Sequence, residues 1–113
     1  MSNYIDTKDI FETTVICSDY QWYNHVASGT HTIMLKNKPA VIDTLNNPDA
    51  VFISSEYDER KVFFKKSSYS TYNSNKFYTK VIVGYIENDC GEVITAFPID
   101  SIKGGIGNVI YQK

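Results

Sequence analysis

The sequence predicts an α+β fold, in which an N-terminal strand and two short helices pack on a four-stranded antiparallel sheet. Helix signals are confined to the first half of the chain, and from Ala50 onward strand patterns follow one another with turns between them. The length of 113 residues suits one domain, 1–113, with one hydrophobic core. A hydrophobic content of 42% is typical of a globular chain rather than a disordered one.

The first strand and the first helix are predicted from adjacent segments. Residues Ile10 to Ser18, "IFETTVICS", are rich in β-branched side chains and predict a strand. Asp19 is a candidate N-cap for a helix over "YQWYNHVAS", which places Trp22, His25 and Val26 on one face before Gly29 ends the helix. We expect Trp22 to belong to the core and not to a base-stacking surface.

The second helix and the sheet follow in order. The segment "KPAVIDTLNNPD" predicts a helix that begins near Pro39, carries apolar residues on one face and ends before Pro48. Four strands are predicted over "AVFIS", "RKVFFKK", "KFYTKVIVGYI" and "EVITAFPI", with a turn at residues 88–91 between the last two. Residues 67–75 predict a polar loop, and "KGGIGN" at 103–108 predicts a flexible terminal turn.

Several classes of protein are disfavoured by what the sequence lacks. Cys17 and Cys90 are far apart and outside any cluster of cysteine and histidine, so we expect buried thiols and no structural zinc. No segment has the pattern of a signal peptide or the length of an apolar membrane span. We therefore expect no membrane association and a cytoplasmic location, or delivery into a target cell if the chain is part of a longer toxin.

Positive charge is concentrated in one part of the chain. Six of the 11 lysine and arginine residues lie between Arg60 and Lys80, a segment with no acidic residue, although the whole chain has a net charge of -2. The same segment holds six aromatic residues. Cations that hold phosphates and rings that stack on bases are the components of a surface for single-stranded nucleic acid. The alternative is a solvated hairpin whose aromatic rings face the core.

The two histidines, His25 and His31, lie six residues apart around the predicted end of the first helix. Imidazole transfers protons near neutral pH, so the pair suits acid-base catalysis. Their spacing does not match the i, i+4 pattern of two metal ligands on one helix, and we expect no metal and no other cofactor. The alternative is structural: His25 as a partly buried ring bonded to a carbonyl, and His31 as a loop residue.

Five segments together resemble the phage-associated branch of the nuclease-like superfamily named for barnase, EndoU, colicin nucleases and RelE. They are "YQWYNHV" with His31 following, "LNNPDAVF", "RKVFFKK", "KFYTKVIVGY" and "GEVITAF". The resemblance spans roughly residues 15–98 and implies a small α+β domain with metal-independent RNA cleavage. It also implies that Thr95, in the "VITAF" block, is a functional threonine. The family pattern has proline and an acidic residue after the second histidine, whereas this chain has Thr32 and Ile33.

The chemistry of RNA cleavage is consistent with the same residues. A base must take the 2'-hydroxyl proton, an acid must protonate the leaving oxygen, and cations must stabilise the charged phosphorus centre. The catalytic candidates are His25, His31, Arg60, Lys66 and Thr95. Strand alternation places Arg60 and Lys66 on one face and Lys61 and Lys65 on the other. The candidates for substrate binding are Lys61, Lys65, Tyr69, Tyr72, Lys76 and Lys80.

The leading hypothesis is therefore a metal-independent endoribonuclease, acting on single-stranded or tRNA-like RNA and paired with a cognate inhibitor protein. A second hypothesis is a noncatalytic module that uses the basic, aromatic hairpin to bind nucleic acid or an acidic protein. A third is an interaction domain of a phage or mobile-element protein with no role in nucleic-acid binding. A shared fold does not separate these hypotheses, because nuclease-like scaffolds can lose their chemistry.

Overall fold

A mixed sheet of seven strands forms the centre of the computed structural model, which describes residues 3–66, 70–72, 76–87 and 90–113, without the side chain of Glu87. The strands are β1 (Asn3–Lys8), β2 (Thr14–Ser18), β3 (Ala50–Ser54), β4 (Arg60–Lys65), β5 (Tyr78–Glu87), β6 (Cys90–Ile99) and β7 (Ile106–Gln112). Their order is β1-β2-β6-β5-β4-β3-β7. Among the strand pairs of the described residues, only β2 and β6 run parallel.

The predicted α+β class is confirmed, whereas the predicted four-stranded antiparallel sheet is wrong. The four predicted strands exist as β3 to β6 and pair antiparallel in sequence order. The sheet is extended by β1 and β2 at one side and by β7 at the other. Because β2 runs parallel to β6, the whole sheet is mixed.

Two predicted segments at the ends of the sheet need correction. The strand predicted over residues 10–18 begins only at Thr14, because Asp9 accepts hydrogen bonds from the N–H groups of Phe11 and Thr13, at 2.8 and 2.9 Å, and closes a turn. The segment predicted as a flexible terminal turn contains the start of β7. Its true turn is confined to Gly104 and Gly105, both at positive φ, and the chain from Ile106 pairs with β3.

The helical segments lie between β2 and β3. The first, α1 (Asp19–Gln21), continues as a π-helical turn (Trp22–Val26), and a 3₁₀ helix (Gly29–Lys36) and α2 (Lys38–Asn46) follow. Ser18 is the N-cap, since its Oγ accepts from the N–H of Gln21 at 3.0 Å, so the predicted cap at Asp19 is displaced by one residue. The second helix is confirmed, with Val41 and Leu45 fully buried. None of the described helices is long and apolar enough to span a membrane.

The helices cover one face of the sheet, which we call the covered face. There α2 contacts β1, β4 and β5, while the π-helical turn and the 3₁₀ helix contact β6. Burial of apolar side chains between the two layers is the main stabilising contribution. The prediction that Trp22 belongs to this core is confirmed, as is burial of the Cys17 thiol, whereas Cys90 is half-buried. The fully buried core includes Val15, Trp22, Val51, Phe63, Val81 and Ala96.

The opposite side of the sheet, which we call the open face, has no helix packed on it in the described residues. It is crossed by the connection from β6 to β7, residues 100–105, because three strands lie between β6 and β7. Lys80 on β5 anchors this connection by donating to the carbonyls of Lys103 and Gly104 at 3.0 and 2.9 Å. The far end is fixed by the N–H of Ser55, which donates to the carbonyl of Gly105 at 2.8 Å.

Candidate nucleic-acid interface

The strand register places Arg60, Lys80 and Thr95 on the open face. Core residues Phe63, Val81 and Ala96 point to the helices, so their neighbours in each strand point away from them. Facing positions on β4, β5 and β6 therefore share the open face, and these positions are Arg60 with Gly84, Val62 with Ile82 and Thr95, and Phe64 with Lys80 and Phe97. Thr95 is half-buried in the middle of this surface.

Lys66 belongs to the same surface at the end of β4. Its Nζ lies 5.1 Å from the centre of the Tyr78 ring, and Tyr78 is two residues before Lys80 on β5. The Lys66 side chain is exposed, whereas that of Tyr78 is half-buried. An exposed cation beside an aromatic ring is suited to contact one nucleotide through both phosphate and base.

His31 reaches the open face from the helical layer. Beyond Glu92 the edge of β6 no longer pairs with β2, and the helical segment passes this edge. Gln21 attaches the segment there by donating from Nε2 to the carbonyls of Val93 and Ile94 at 3.1 and 3.3 Å. The His31 ring then stacks on Phe97, with ring centres 4.7 Å apart and planes inclined by 23°. The imidazole is half-buried there.

His25 lies elsewhere, on the outer surface of the π-helical turn. Its ring is exposed and meets the ring of Tyr20 edge-on, at 5.7 Å between centres. The prediction that His25 shares a face with Trp22 and Val26 is wrong. The turn closes with a bond from the N–H of Ala27 to the carbonyl of Trp22, five residues back. In this wider turn the third residue after Trp22 rotates away from the core and the fourth stays buried.

The sheet separates the basic residues into two groups. Lys65 lies on the covered face and pairs with Asp43 of α2 at 3.3 Å. Lys61 lies on the same side, with its Nζ 4.5 Å from the ring centres of both Phe11 and Tyr85. Both cations therefore have partners within the fold, on the side away from Arg60 and Lys66. The predicted substrate-binding set is not brought together on one surface.

The remaining candidates lie in or near residues 67–75, the segment predicted to be a polar loop. Tyr72 is half-buried against the core and its hydroxyl hydrogen-bonds the hydroxyl of Thr79, while burial raises the pKa of Tyr72. These contacts give Tyr72 a structural role in addition to its predicted one. Lys76 is exposed. Tyr69 lies outside the described residues.

Arg60 and Lys80 differ in their surroundings although both lie on the open face. The Arg60 guanidinium stacks over Tyr57, 4.0 Å from the ring centre, and is half-buried. Lys80 is only 5% exposed, and its Nζ lies 5.6 and 5.3 Å from the ring centres of Phe64 and Phe97. This burial lowers the pKa of Lys80, and the charge of Glu56 opposes the shift.

Sequence reasoning did not identify Phe97, Tyr57 or Ser54 as parts of this surface. Phe97 is two residues after Thr95, so strand alternation alone could have placed it beside the candidate hydroxyl. Ser54 is the last residue of β3, and Tyr57 lies in the turn after it, three residues before Arg60. Among the residues that the structure describes, no group of three histidine, cysteine, aspartate or glutamate side chains could hold a metal ion.

The open face therefore combines a stacked imidazole, a strand hydroxyl, exposed and half-buried cations and aromatic rings. The comparisons with known proteins add no relative that would assign a role to these residues. Neither a family model, nor a curated protein, nor a solved structure matches this chain.

Proposed function

We propose that the open face binds single-stranded RNA and cleaves it without a metal ion. The observation that carries the proposal is the placement of His31 against Phe97, on the strand and face that also present Thr95. A nucleotide bound at this position would meet a proton-transfer group, a hydroxyl and an aromatic ring together. The resemblance to metal-independent nucleases supports the same activity.

Each residue has a defined role in the proposed reaction. His31 transfers a proton to or from the RNA, and Thr95 orients the reacting phosphate through its hydroxyl. Arg60 holds a backbone phosphate of the bound strand, because a planar guanidinium donates two parallel hydrogen bonds to phosphate oxygens. Lys66 with Tyr78 holds the strand through phosphate and base. His25 remains the candidate for the second proton transfer.

The test is cleavage of single-stranded RNA by the purified chain between about pH 5 and pH 8, where imidazole titrates. We expect products ending in 2',3'-cyclic phosphate in the presence of EDTA. His31→Ala should lower the rate by about a hundredfold or more, the usual contribution of a positioned proton-transfer group, and Thr95→Val by less. Thr32→Ala, at the exposed neighbouring position, is the control and should retain the rate.

His25→Ala examines the second proton transfer separately. If His25 is the partner of His31, its loss should also reduce cleavage by about a hundredfold while leaving RNA affinity and the melting temperature nearly unchanged. An unchanged rate would remove His25 from the mechanism. Absence of cyclic phosphate products from the wild-type chain, with and without EDTA, would contradict the cleavage proposal as a whole.

A noncatalytic binding module is the second candidate. It is favoured by the separation of the two histidines, since His31 contacts the open face and His25 contacts Tyr20 on the helix. A single imidazole provides half of the usual acid-base pair. RNA binding that persists in His31→Ala, without products from the wild-type chain, would support this candidate.

A further inference from the structure

A cavity of about 250 Å³ lies on the open face next to Arg60, between the turn after β3, strands β4 and β5, and the connection to β7. Lys80 lies at one side of it, and Gly104 and Gly105 of the crossing connection form another. Ser54 and Glu56 complete its polar lining. The cavity is thus bounded by elements that are distant in sequence and that Lys80 holds together.

The polar groups in the cavity are predominantly hydrogen-bond donors. The ammonium of Lys80 has three N–H bonds, of which two are directed at the carbonyls of Lys103 and Gly104. Ser54 Oγ accepts from the N–H groups of Glu56 and Tyr57, at 3.1 and 3.2 Å, which leaves its hydroxyl hydrogen to donate. Within the described residues, neither the third Lys80 hydrogen nor the Ser54 hydroxyl hydrogen has an acceptor.

The charges in the cavity favour an anion. Arg60 and Lys80 each contribute one positive charge, and Glu56 contributes one negative charge. Glu56 is exposed, so solvent screens its carboxylate more strongly than the buried ammonium of Lys80. Burial lowers the pKa of Lys80, and an anion beside the ammonium would raise that pKa again.

We infer that this cavity binds one phosphate group of the RNA, separate from the phosphate that reacts at His31. Guanidinium, ammonium and hydroxyl donors on different sides match the several oxygens of a tetrahedral phosphate better than they match a planar carboxylate. Lys80 faces Phe97 across neighbouring strands, and His31 stacks on Phe97. A strand of RNA passing beside residues 100–105 would therefore meet both positions. This inference rests on the proposed function, because it assumes that the bound phosphate belongs to RNA.

Phosphate titrations of the full chain at constant ionic strength test the cavity without RNA. Isothermal titration calorimetry with inorganic phosphate should show saturable binding to the wild-type chain. Lys80→Met keeps an unbranched side chain between Phe64 and Phe97 and should weaken binding by about tenfold, the contribution of one charge-assisted hydrogen bond. Ser54→Ala should weaken it severalfold and serves as the decisive variant if Lys80→Met does not fold.

Two further variants make the test specific. Lys103→Gln removes the same charge from the crossing connection, but the Lys103 ammonium pairs with exposed Asp100 and does not line the cavity, so binding should be retained. Glu56→Gln removes the opposing carboxylate and should strengthen binding severalfold. No saturation of the wild-type chain by about 50 mM phosphate would overturn the inference, as would equal losses in Lys103→Gln and Lys80→Met.

The same variants separate this inference from the proposed function. Loss of RNA affinity in Lys80→Met and Ser54→Ala, with competition by inorganic phosphate, supports a backbone phosphate in the cavity. Unchanged RNA cleavage in both variants would overturn the cavity assignment and leave the cleavage proposal standing. A different outcome is that the wild-type chain binds phosphate saturably but neither binds nor cleaves RNA. That result would contradict the proposed function. It would also overturn the inference that the phosphate belongs to RNA, and the cavity would be reassigned to free phosphate.

Discussion

Buried polar side chains stabilise this fold because they form hydrogen bonds with other groups of the protein. Asp9 is 3% exposed, and its carboxylate accepts from two backbone N–H groups and from the hydroxyl of Tyr85 at 2.7 Å. Tyr85 in turn lies beneath the Lys61 ammonium. Burial raises the pKa of Tyr85 strongly, and the hydrogen bond to Asp9 adds to the effect. Burial likewise raises the pKa of Cys17, from 9.0 to about 12.

These shifts predict loss of stability in alkali. Above the ordinary pKa values of cysteine and tyrosine, the unfolded chain loses these protons while the folded chain keeps them, so the free energy of unfolding falls as pH rises. Each group contributes up to about 1.4 kcal/mol per pH unit. Urea unfolding between about pH 8 and pH 11 should show the decline, and Cys17→Ala and Tyr85→Phe should each make it shallower.

The difference in pH dependence of the free energy of unfolding between each variant and the wild-type chain isolates the contribution of the substituted residue. Lys80 acts with the opposite sign, because its lowered pKa makes stability rise with pH below the ordinary lysine value. That contribution is common to both proteins and cancels in the comparison. A pH dependence identical in wild type and both variants would show that neither group is retained in its protonated form by the fold.

At the scale of elements, the helical segment from Asp19 to Lys36 determines where the histidines lie. It begins at the Ser18 cap, widens into the π-helical turn and passes the edge of β6 where β2 has ended. Gln21 is its attachment to the sheet, through the carbonyls of Val93 and Ile94. His31 is positioned by this attachment and by its own contact with Phe97.

Gln21→Ala should therefore lower the free energy of unfolding by about 1–2 kcal/mol, the usual contribution of such hydrogen bonds. It should also accelerate amide hydrogen exchange in the segment that carries the histidines. Asn24→Ala is the matched control, since the Asn24 amide donates only to the carbonyl of Tyr20 within the same turn, at 3.0 Å and exposed to solvent. Equal losses in the two variants would contradict the role of Gln21 as an anchor.

In the whole molecule, β4 and the residue that follows it present cations on both faces of the sheet. Arg60 lies on the open face and Lys66 lies beside it, whereas Lys61 and Lys65 lie against the aromatic rings and α2 on the covered face. The net charge of -2 gives the molecule no general attraction for RNA. RNA binding must therefore depend on which face of the sheet carries each cation.

The two pairs of cations provide a charge-matched comparison. Arg60→Gln with Lys66→Gln should reduce the slope of log affinity against log salt by about 1.4, since each phosphate contact on single-stranded RNA contributes about 0.7. Lys61→Gln with Lys65→Gln removes the same charge from the same strand and should leave the slope unchanged. Melting temperatures control for the ion pair lost at Asp43. Equal reductions in both double variants would reject the open face as the RNA surface.

Elements with local signals could be predicted from the sequence. Period-two alternation from Ala50 predicted the strands β3 to β6, and the same alternation assigned Arg60 and Lys66 to one face and Lys61 and Lys65 to the other. The helix after Pro39 and the burial of Trp22 followed from turn residues and apolar character. These features depend on residues a few positions apart, so they can be predicted from the sequence.

Features that join distant segments became visible only in the folded molecule. The edge strands β1 and β7 exist because they pair with β2 and β3, and β7 is largely exposed, with no buried side-chain pattern to mark it. The contact between His31 and Phe97 and the burial of Lys80 beneath residues 100–105 have the same origin. In each case a partner far along the chain supplies the energy, and local propensity is too weak to reveal it.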